Sequence, residues 1–324
     1  ALPVLYGATA KPAARFDTSL NAAVSIAADL KPGKLPLASS TLLALDVIAR
    51  EEDSPALLRA QAAQSALRGY AIAPEIVKTS LAPAVAMKST KAAPLPALVL
   101  GLQSVAAAPT PVAKALAIET TLKKTSTYAD YVAAARLLRD DIVNLPRDAT
   151  TAPAALSMAR ASLAMGDVKL AAAWREIIGQ SGPAPSESVR AALDTAIAIA
   201  GGGNDAAALQ HRIELGGAGA ARDAALFGAL GQPTSERASA LIAATPQAKG
   251  FKIADATLVA AMVSASQRGA QGETALYAAR VVGPCAHVID RASLVSTIQA
   301  LRAVGLESAA REIALEAMIG AGIG

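Results

Sequence analysis

The sequence predicts an all-α protein, an α-solenoid of antiparallel helical hairpins preceded by an extended N-terminal arm. Hydrophobic residues make up 53 % of the 324 residues but aromatic residues only 3 %, so alanine and the aliphatic residues supply most of the apolar surface. These apolar residues recur with helical spacing in short runs, and Gly, Pro, Asn, Asp or Ser ends each run. Alternating β-branched and aromatic residues, which are typical of strands, are missing from the sequence.

The arm and the helices follow one another along the chain. Residues 1–18 lack helical periodicity and contain Pro3, Gly7 and Pro12, which predicts the extended arm. From residue 19 onward the apolar spacing predicts a succession of helices. Their predicted ranges are 19–31, 39–52, 55–68, 74–88, 95–107, 111–124, 127–144, 151–164, 168–180, 186–200, 204–215, 219–230, 234–244, 253–268, 272–282, 291–304 and 307–319.

The residue types at the ends of these runs are those that helix boundaries favour. Ser54 before Pro55 predicts a hydroxyl N-cap followed by proline at the first helical position. Asn204 and Asp205 offer side-chain oxygens for the same purpose. Glycines that follow apolar runs predict helix ends in the left-handed conformation, at Gly69, Gly166, Gly231, Gly269 and Gly305.

Short helices joined by short turns predict hairpins that repeat every ~30–40 residues, the spacing of many helical-repeat families. We therefore expect three regions: an arm at 1–18, N-terminal hairpins at 19–148 and C-terminal repeats at 149–324. The last two regions are expected to form one continuous solenoid.

One segment of the C-terminal region matches a known repeat. Leu156–Pro183 has the sequence LSMARASLAMGDVKLAAAWREIIGQSGP and resembles a tetratricopeptide repeat. In this resemblance Gly166 and Asp167 form the turn between the two helices, Ala171 is the small residue of the second helix and Pro183 is the terminal proline.

Two further windows are similar to the same family. Residues 294–318 place Gly305 at the turn, with Ala310 and Ala317 at small packing positions, and residues 256–284 place Gly269 at the turn with one inserted residue. The large aromatic positions of the family are mostly Ala, Met or Ser here, and the three windows cover less than a third of the chain. The resemblance implies a helical repeat protein that binds a protein or peptide partner.

Composition excludes several function classes. The 30 Lys and Arg residues against 26 Asp and Glu give a net charge of only +4, and the three phenylalanines are far apart, so no nucleic-acid partner is expected. The single cysteine, Cys285, excludes an internal disulfide framework, and two histidines exclude a multi-histidine zinc site. We expect no cofactor.

The sequence also limits membrane association. The longest apolar stretch, residues 95–108, is shorter than the ~18 residues of a membrane span and contains Pro96, so no transmembrane segment is expected. The chain starts with Ala1 rather than Met, which favours a processed protein of the cell envelope, with a cytoplasmic location as the alternative.

The best candidate for a phosphate-binding loop is the segment Gly216–Arg222, with the sequence GGAGAAR. Gly217 and Gly219 fit the first two glycines of a dinucleotide-binding loop, but Arg222 takes the place of the third. Because the residues before it complete a helix rather than a strand, a flexible turn between two helices is the favoured interpretation.

Three residues are candidates for catalysis. Asp140 and Asp141 are adjacent acids on a helix and could hold a divalent cation, but a solvated charged face is the favoured interpretation. His211 is expected on a helix surface.

Cys285 and His287, two residues apart, could form a thiol nucleophile or a pair of metal ligands. The favoured interpretation is a buried thiol beside a loop histidine.

The leading hypothesis is a non-enzymatic scaffold or adaptor that binds a protein or peptide partner or copies of itself, because repeated hairpins create extended binding surfaces. One alternative is an enzyme, or the helical domain of an enzyme, with a site assembled from Asp140, Asp141 and His211. The other is a helical protein that binds a small molecule or lipid.

Overall fold

A computed structural model describes residues 20–21, 24–25, 40–52, 54–69, 72–87, 95–202, 206–247 and 249–320. The described chain is all-helical and contains no strand, only one isolated parallel bridge between Lys252 and Ile289. This confirms the predicted all-α class. The predicted N-terminal arm and the capping pair Asn204 and Asp205 lie outside the described residues.

The described chain divides into two compact units, and the division falls between Leu145 and Pro146. The first unit extends to Lys124 and includes Ala129–Leu145. The second comprises Thr125–Tyr128 and the chain from Pro146 onward.

The first unit is a series of short helices that pack on their neighbours. They are α1 Leu42–Arg50, α2 Ala56–Arg68, α3 Pro74–Val85, α4 Ala97–Ala107, α5 Pro111–Lys123, α6 Tyr128–Leu137 and α7 Arg139–Asn144. Helices α1 and α2, α2 and α3, and α4 and α5 are in contact as consecutive pairs. Fully buried aliphatic side chains from these helices form the core, among them Ile48, Leu67, Leu81, Ile118 and Ile142.

The second unit contains ten α-helices among its described residues. They are α8 Ala155–Ala164, α9 Val168–Arg175, α10 Glu187–Gly201, α11 Ala206–Leu215, α12 Gly217–Ala229, α13 Glu236–Ala244, α14 Ala256–Gln267, α15 Gln271–Val282, α16 Arg291–Ala303 and α17 Glu307–Ile319. Short 3-10 turns occur at Ala152–Ala154 and Ala286–Val288. The largest fully buried side chains of this unit are Trp174, Phe227 and Met158, and alanine fills much of the remaining core.

Three hairpins of the second unit share one turn geometry. Helices α8 and α9, α14 and α15, and α16 and α17 pack as pairs, and each pair is joined at a glycine with positive φ: Gly166 at 78°, Gly269 at 70° and Gly305 at 80°. In each turn the residue after the glycine donates its amide to a carbonyl in the last turn of the first helix, as Leu306 does to Leu301 at 2.9 Å. These are the three windows that resemble tetratricopeptide repeats.

The last described helix also packs against helices from the beginning of its unit. Helix α17 contacts α8 and α10 as well as its hairpin partner α16. In a simple stack each hairpin contacts only its sequence neighbours. The second unit therefore contains a long-range closure that stacking alone does not produce.

Most helix boundaries lie within three residues of the predicted ones. The left-handed helix end predicted at Gly69 is wrong, because its φ is -88°. Two predicted helices are interrupted or end early. The predicted helix at 127–144 is interrupted at Leu138, whose ψ of 6° starts a separate short helix, and the helix predicted at 168–180 ends at Arg175. After Arg175 the chain continues in tight turns, such as the amide of Ile178 to the carbonyl of Arg175 at 3.1 Å, until Gly179 adopts a φ of 87°.

The predicted N-cap at Ser54 is wrong. Pro55 occupies the N-cap position of α2, no side chain caps this helix, and the Ser54 hydroxyl is buried without a described partner. Side-chain caps do occur at other helices, as at Thr110 for α5 and Asp290 for α16. The missing cap at α2 is the consequence of proline taking the position that serine was expected to hold.

Candidate functional site

The two aspartates proposed from the sequence each pair with a lysine of the first unit. Asp140 lies 2.5 Å from Nζ of Lys78, and Asp141 lies 3.1 Å from Nζ of Lys114. The hydrogen bond from Lys78 holds the pKa of Asp140 below its ordinary value. Both acids therefore belong to exposed or half-buried ion pairs that link α7 to α3 and α5.

The third proposed residue, His211, belongs to the second unit. Its imidazole is half exposed, and Nε2 lies 3.2 Å from the carboxylate of Glu187. In the described part of the chain, no three His, Cys, Asp or Glu side chains converge in a way that could hold a metal ion. The two candidate acids thus each have a lysine partner, and the candidate histidine has a carboxylate neighbour.

The glycine-rich segment at 216–222 is the start of helix α12. Gly216 and Gly217 have positive φ values of 70° and 88°, and the helix starts at Gly217 rather than at the predicted residue 219. The first amides of an α-helix have no partner within the helix, and no side chain caps those of α12. The turn predicted here is therefore short, and it exposes a helix N-terminus.

This N-terminus opens onto a cavity of about 380 Å³ that we call the arginine cavity. Its walls come from α8, α10, α11, α12, α16, α17 and the connection between α13 and α14. Ala218 and Gly219 of the first turn of α12 are part of the wall. The charged side chains that line it are Arg160, Arg212, Arg222, Arg291 and Asp223.

Arg212 is held by α10 and α12 together. Its side chain is buried, Nε donates to the Asp223 carboxylate at 2.8 Å, and Nη1 donates to the hydroxyl of Ser188 at 2.6 Å. The remaining nitrogen, Nη2, lies against Gly219, where an added Cβ would approach it to 2.6 Å. Gly219 thus allows the guanidinium group to lie beside the first turn of α12.

Arg222 is held by the turn that contains Ala286–Val288. Nη1 donates to the carbonyl of His287 at 2.8 Å, and Nη2 donates to those of Ala286 and Ile289 at 3.1 and 3.3 Å. The guanidinium group lies over the ring of Phe251, 4.6 Å from its centroid. The residue is only 8 % exposed, and Nε has no hydrogen-bond partner among the described residues.

The turn that holds Arg222 is itself anchored by α17. Glu316 accepts the amide of Ala286 at 2.8 Å, and burial raises the pKa of the Glu316 carboxyl. Burial, together with the charge of Arg222, lowers the pKa of His287, so the imidazole is neutral near pH 7. Cys285 is a half-buried free thiol at the start of this turn.

The electrostatic balance of the cavity favours an anion. Burial lowers the pKa of Arg222, while Asp223 and Asp290 act in the opposite direction. Burial raises the pKa of the Asp223 carboxyl against the attraction of Arg212 and Arg222. Four arginines against one aspartate make the lining of the cavity predominantly positive, which favours a bound anion.

Sequence reasoning identified only part of this lining. The segment Gly216–Arg222 is the phosphate-loop candidate of the sequence. Arg222, which takes the place of the third glycine of such a loop, is one of the buried arginines of the cavity. Arg160 and Arg291 were not identified, because they are far apart in sequence and only the closure of the second unit brings them to one cavity.

No helix in the described ranges has the length and apolar character that a membrane crossing requires. Comparisons of the chain with protein-family models, with curated proteins and with solved structures gave no match.

Proposed function

We propose that the chain is a non-enzymatic binding protein, a helical-hairpin scaffold that receives an acidic group of a protein or peptide partner in the arginine cavity. The observation that carries this proposal is the lining of that cavity, where four arginines face a single carboxylate. Clefts of one charge sign attract ligands of the opposite sign and accelerate their association.

The hairpins support a scaffold role. Three pairs of helices in the second unit repeat one turn geometry, as expected for tetratricopeptide-like repeats stacked into a solenoid. Packed hairpins of this kind hold side chains from distant parts of the sequence in fixed positions. A rigid frame of this type reduces the entropy lost on binding.

The enzyme hypothesis receives less support from the described residues. Asp140 and Asp141 each pair with a lysine, His211 lies beside the Glu187 carboxylate, and the two aspartates and the histidine belong to different units. The arginines of the cavity are donors that remain protonated, and they suit recognition better than proton transfer.

The test is binding of a fluorescent peptide of ten glutamates to the full chain, measured by anisotropy at low and moderate salt. The double variant Arg160→Gln/Arg291→Gln removes two charges from the half-buried part of the lining. We expect it to weaken binding by about tenfold or more and to reduce the salt dependence.

The matched control is Arg190→Gln/Arg237→Gln, which removes two exposed arginines of the second unit that do not line the cavity. This control should bind the peptide almost as the wild type does. Since Arg291 donates to the carbonyls of Ile242 and Thr245, helical circular dichroism must show that the first variant is folded. Equal affinities of the folded double variants would refute the proposal.

A second candidate function, binding of a small anionic molecule, is favoured by the apolar part of the lining. Val189, Phe251 and Met318 line the same cavity as the arginines, and its volume falls in the range of small-molecule sites. Native mass spectrometry of the purified chain would detect a retained ligand, and its loss in Arg160→Gln/Arg291→Gln would assign it to the cavity.

A further inference from the structure

Two sets of donors meet at one wall of the arginine cavity. The first-turn amides of α12 lack partners within the helix, and Ala218 and Gly219 are exposed at the wall. Nη2 of Arg212 lies against the same turn, and it donates to no described residue while Nε and Nη1 are occupied. A group bound here would receive hydrogen bonds from both the backbone and a guanidinium.

The second, independent observation is the state of Arg222. This side chain is more than nine-tenths buried and lines the cavity, yet its Nε has no described partner. Its other two nitrogens are fixed by carbonyls, so the group cannot turn to satisfy Nε without breaking those bonds. Arg222 therefore places a fixed and largely desolvated positive charge at the wall of the cavity, which an anion bound there would stabilise.

The chemistry of these donors selects among anions. A helix N-terminus combines free amides with the positive end of the helix dipole, an arrangement that recurs at phosphate sites. Planar guanidinium groups offer pairs of N–H donors that match phosphate oxygens. The lining holds four arginines and one carboxylate, that of Asp223. A phosphate monoester carries nearly two negative charges at pH 7 and matches this excess of positive charge better than a ligand with one carboxylate.

The dimensions of the cavity indicate more than a bare ion. A phosphoryl group fills on the order of 60 Å³, about two water volumes, whereas the cavity measures about 380 Å³. The rest of the space is bounded by Val189, Phe251 and Met318, whose side chains are apolar. The cavity therefore has room for an organic body attached to an anionic group.

We infer that the arginine cavity binds the phosphoryl group of a phosphorylated organic ligand. The amides of Ala218 and Gly219 and Nη2 of Arg212 contact the phosphoryl oxygens, and Arg160, Arg222 and Arg291 supply the compensating charge. The inference rests on the proposed function, because it names the anionic group that the same cavity receives. The phosphoryl group is part of either a phosphorylated peptide segment or a free phosphorylated molecule.

The probes are phenyl phosphate and benzoate, which share an aromatic ring and differ in the anionic group. Isothermal titration calorimetry of the full chain should show that phenyl phosphate binds about tenfold or more tightly than benzoate. Equal affinities for the two probes would overturn the inference.

The decisive variant is Gly219→Ala. Its new Cβ would lie 2.6 Å from Nη2 of Arg212, so the guanidinium must shift from the helix N-terminus. We expect phenyl phosphate to bind about tenfold or more weakly. The shift also strains the bonds of Arg212 to Asp223 and Ser188, which the higher helix propensity of alanine offsets only in part, so helical circular dichroism must show that the variant is folded.

Gly272→Ala is the matched control. It also adds one methyl group in the first turn of a helix of the second unit, and its Cβ would meet no atom within 4 Å. This variant should bind phenyl phosphate as the wild type does. If folded Gly219→Ala also bound it unchanged, the contact with the first turn of α12 would be refuted.

Two further titrations distinguish a phosphorylated peptide from a free phosphorylated molecule. They also distinguish failure of the phosphoryl site from failure of the proposed function. Tighter binding of a phosphoserine pentapeptide than of phenyl phosphate, lost in Gly219→Ala, would support a peptide segment, and the reverse order would support a free molecule. If the ten-glutamate peptide bound through the arginines while no phosphorylated probe bound, this inference would fail and the proposed function would stand. If neither class of probe bound, both would fail.

Discussion

Arg222 joins three parts of the second unit through one side chain. It extends from α12, donates to carbonyls of the Ala286–Val288 turn and packs on the ring of Phe251. A lysine at this position would keep the charge. It lacks the planar guanidinium group, whose several N–H donors bind the carbonyls and whose face stacks on the ring of Phe251. The residue therefore stabilises the fold in addition to lining the cavity.

Arg222→Lys should lower the free energy of unfolding by about 2 kcal/mol, because it removes at least one hydrogen bond of a charged donor and the contact with Phe251. Urea denaturation followed by Trp174 fluorescence measures the change. The exposed Arg237→Lys should alter stability by less than about 0.5 kcal/mol. Identical midpoints for the two variants would contradict the structural role of Arg222.

Glu316 provides a prediction about pH. Burial raises its pKa in the folded state, so the folded protein holds this proton more tightly than the unfolded chain does. The contribution of Glu316 to stability is therefore lost as the pH rises from the unfolded pKa, about 4.3, through the folded pKa. Glu316→Gln stays neutral and retains an oxygen that can accept the amide of Ala286.

We therefore expect Glu316→Gln to be more stable than the wild type at pH 7.5 and this difference to shrink towards pH 4. Urea midpoints at the two pH values test this, with the exposed Glu312→Gln on the same helix as the control. A stability difference that does not change with pH would show that the carboxyl of Glu316 is not perturbed by burial.

At the scale of elements, the turns between paired helices depend on glycine. Gly269 has a φ of 70°, and a Cβ there would meet no atom within 4 Å, so the cost of a side chain is purely one of backbone conformation. Gly269→Ala should reduce stability by about 1 kcal/mol. Gly272→Ala, three residues later in α15, should not reduce it. Thermal unfolding of the two variants should separate them, and equal melting temperatures would contradict the strain expected at Gly269.

The elements were largely predictable from the sequence because helix ends are local. Apolar spacing and the glycines at Gly166, Gly269 and Gly305 place the hairpins to within a few residues. Predictions failed where a neighbour competes for the same position, as Pro55 does with Ser54 at the start of α2. The wall of the cavity was not predictable, because apolar periodicity shows which face of a helix is buried but not which distant helix covers it.

At the scale of the whole molecule, each unit has its own buried core. In the second unit Trp174 is fully buried, and the chain from Pro146 onward forms all of this compact unit except Thr125–Tyr128. A fragment of residues 146–324 should therefore fold without the first unit. Circular dichroism should show helices, and the emission of Trp174 should be blue-shifted and change in one cooperative transition. A fragment with the spectrum of an unfolded chain would contradict this division.

The contact of α17 with α8 and α10 has a consequence for synthesis on the ribosome. Translation proceeds from the N-terminus at about 5–20 residues per second, so α8 leaves the ribosome about 8–30 s before α17 does. During that interval the alanine and leucine faces that α17 later covers are open to water and to chaperones. The second unit therefore completes its core only once α17 has emerged, whereas the early hairpins of a linear array can pack as they emerge.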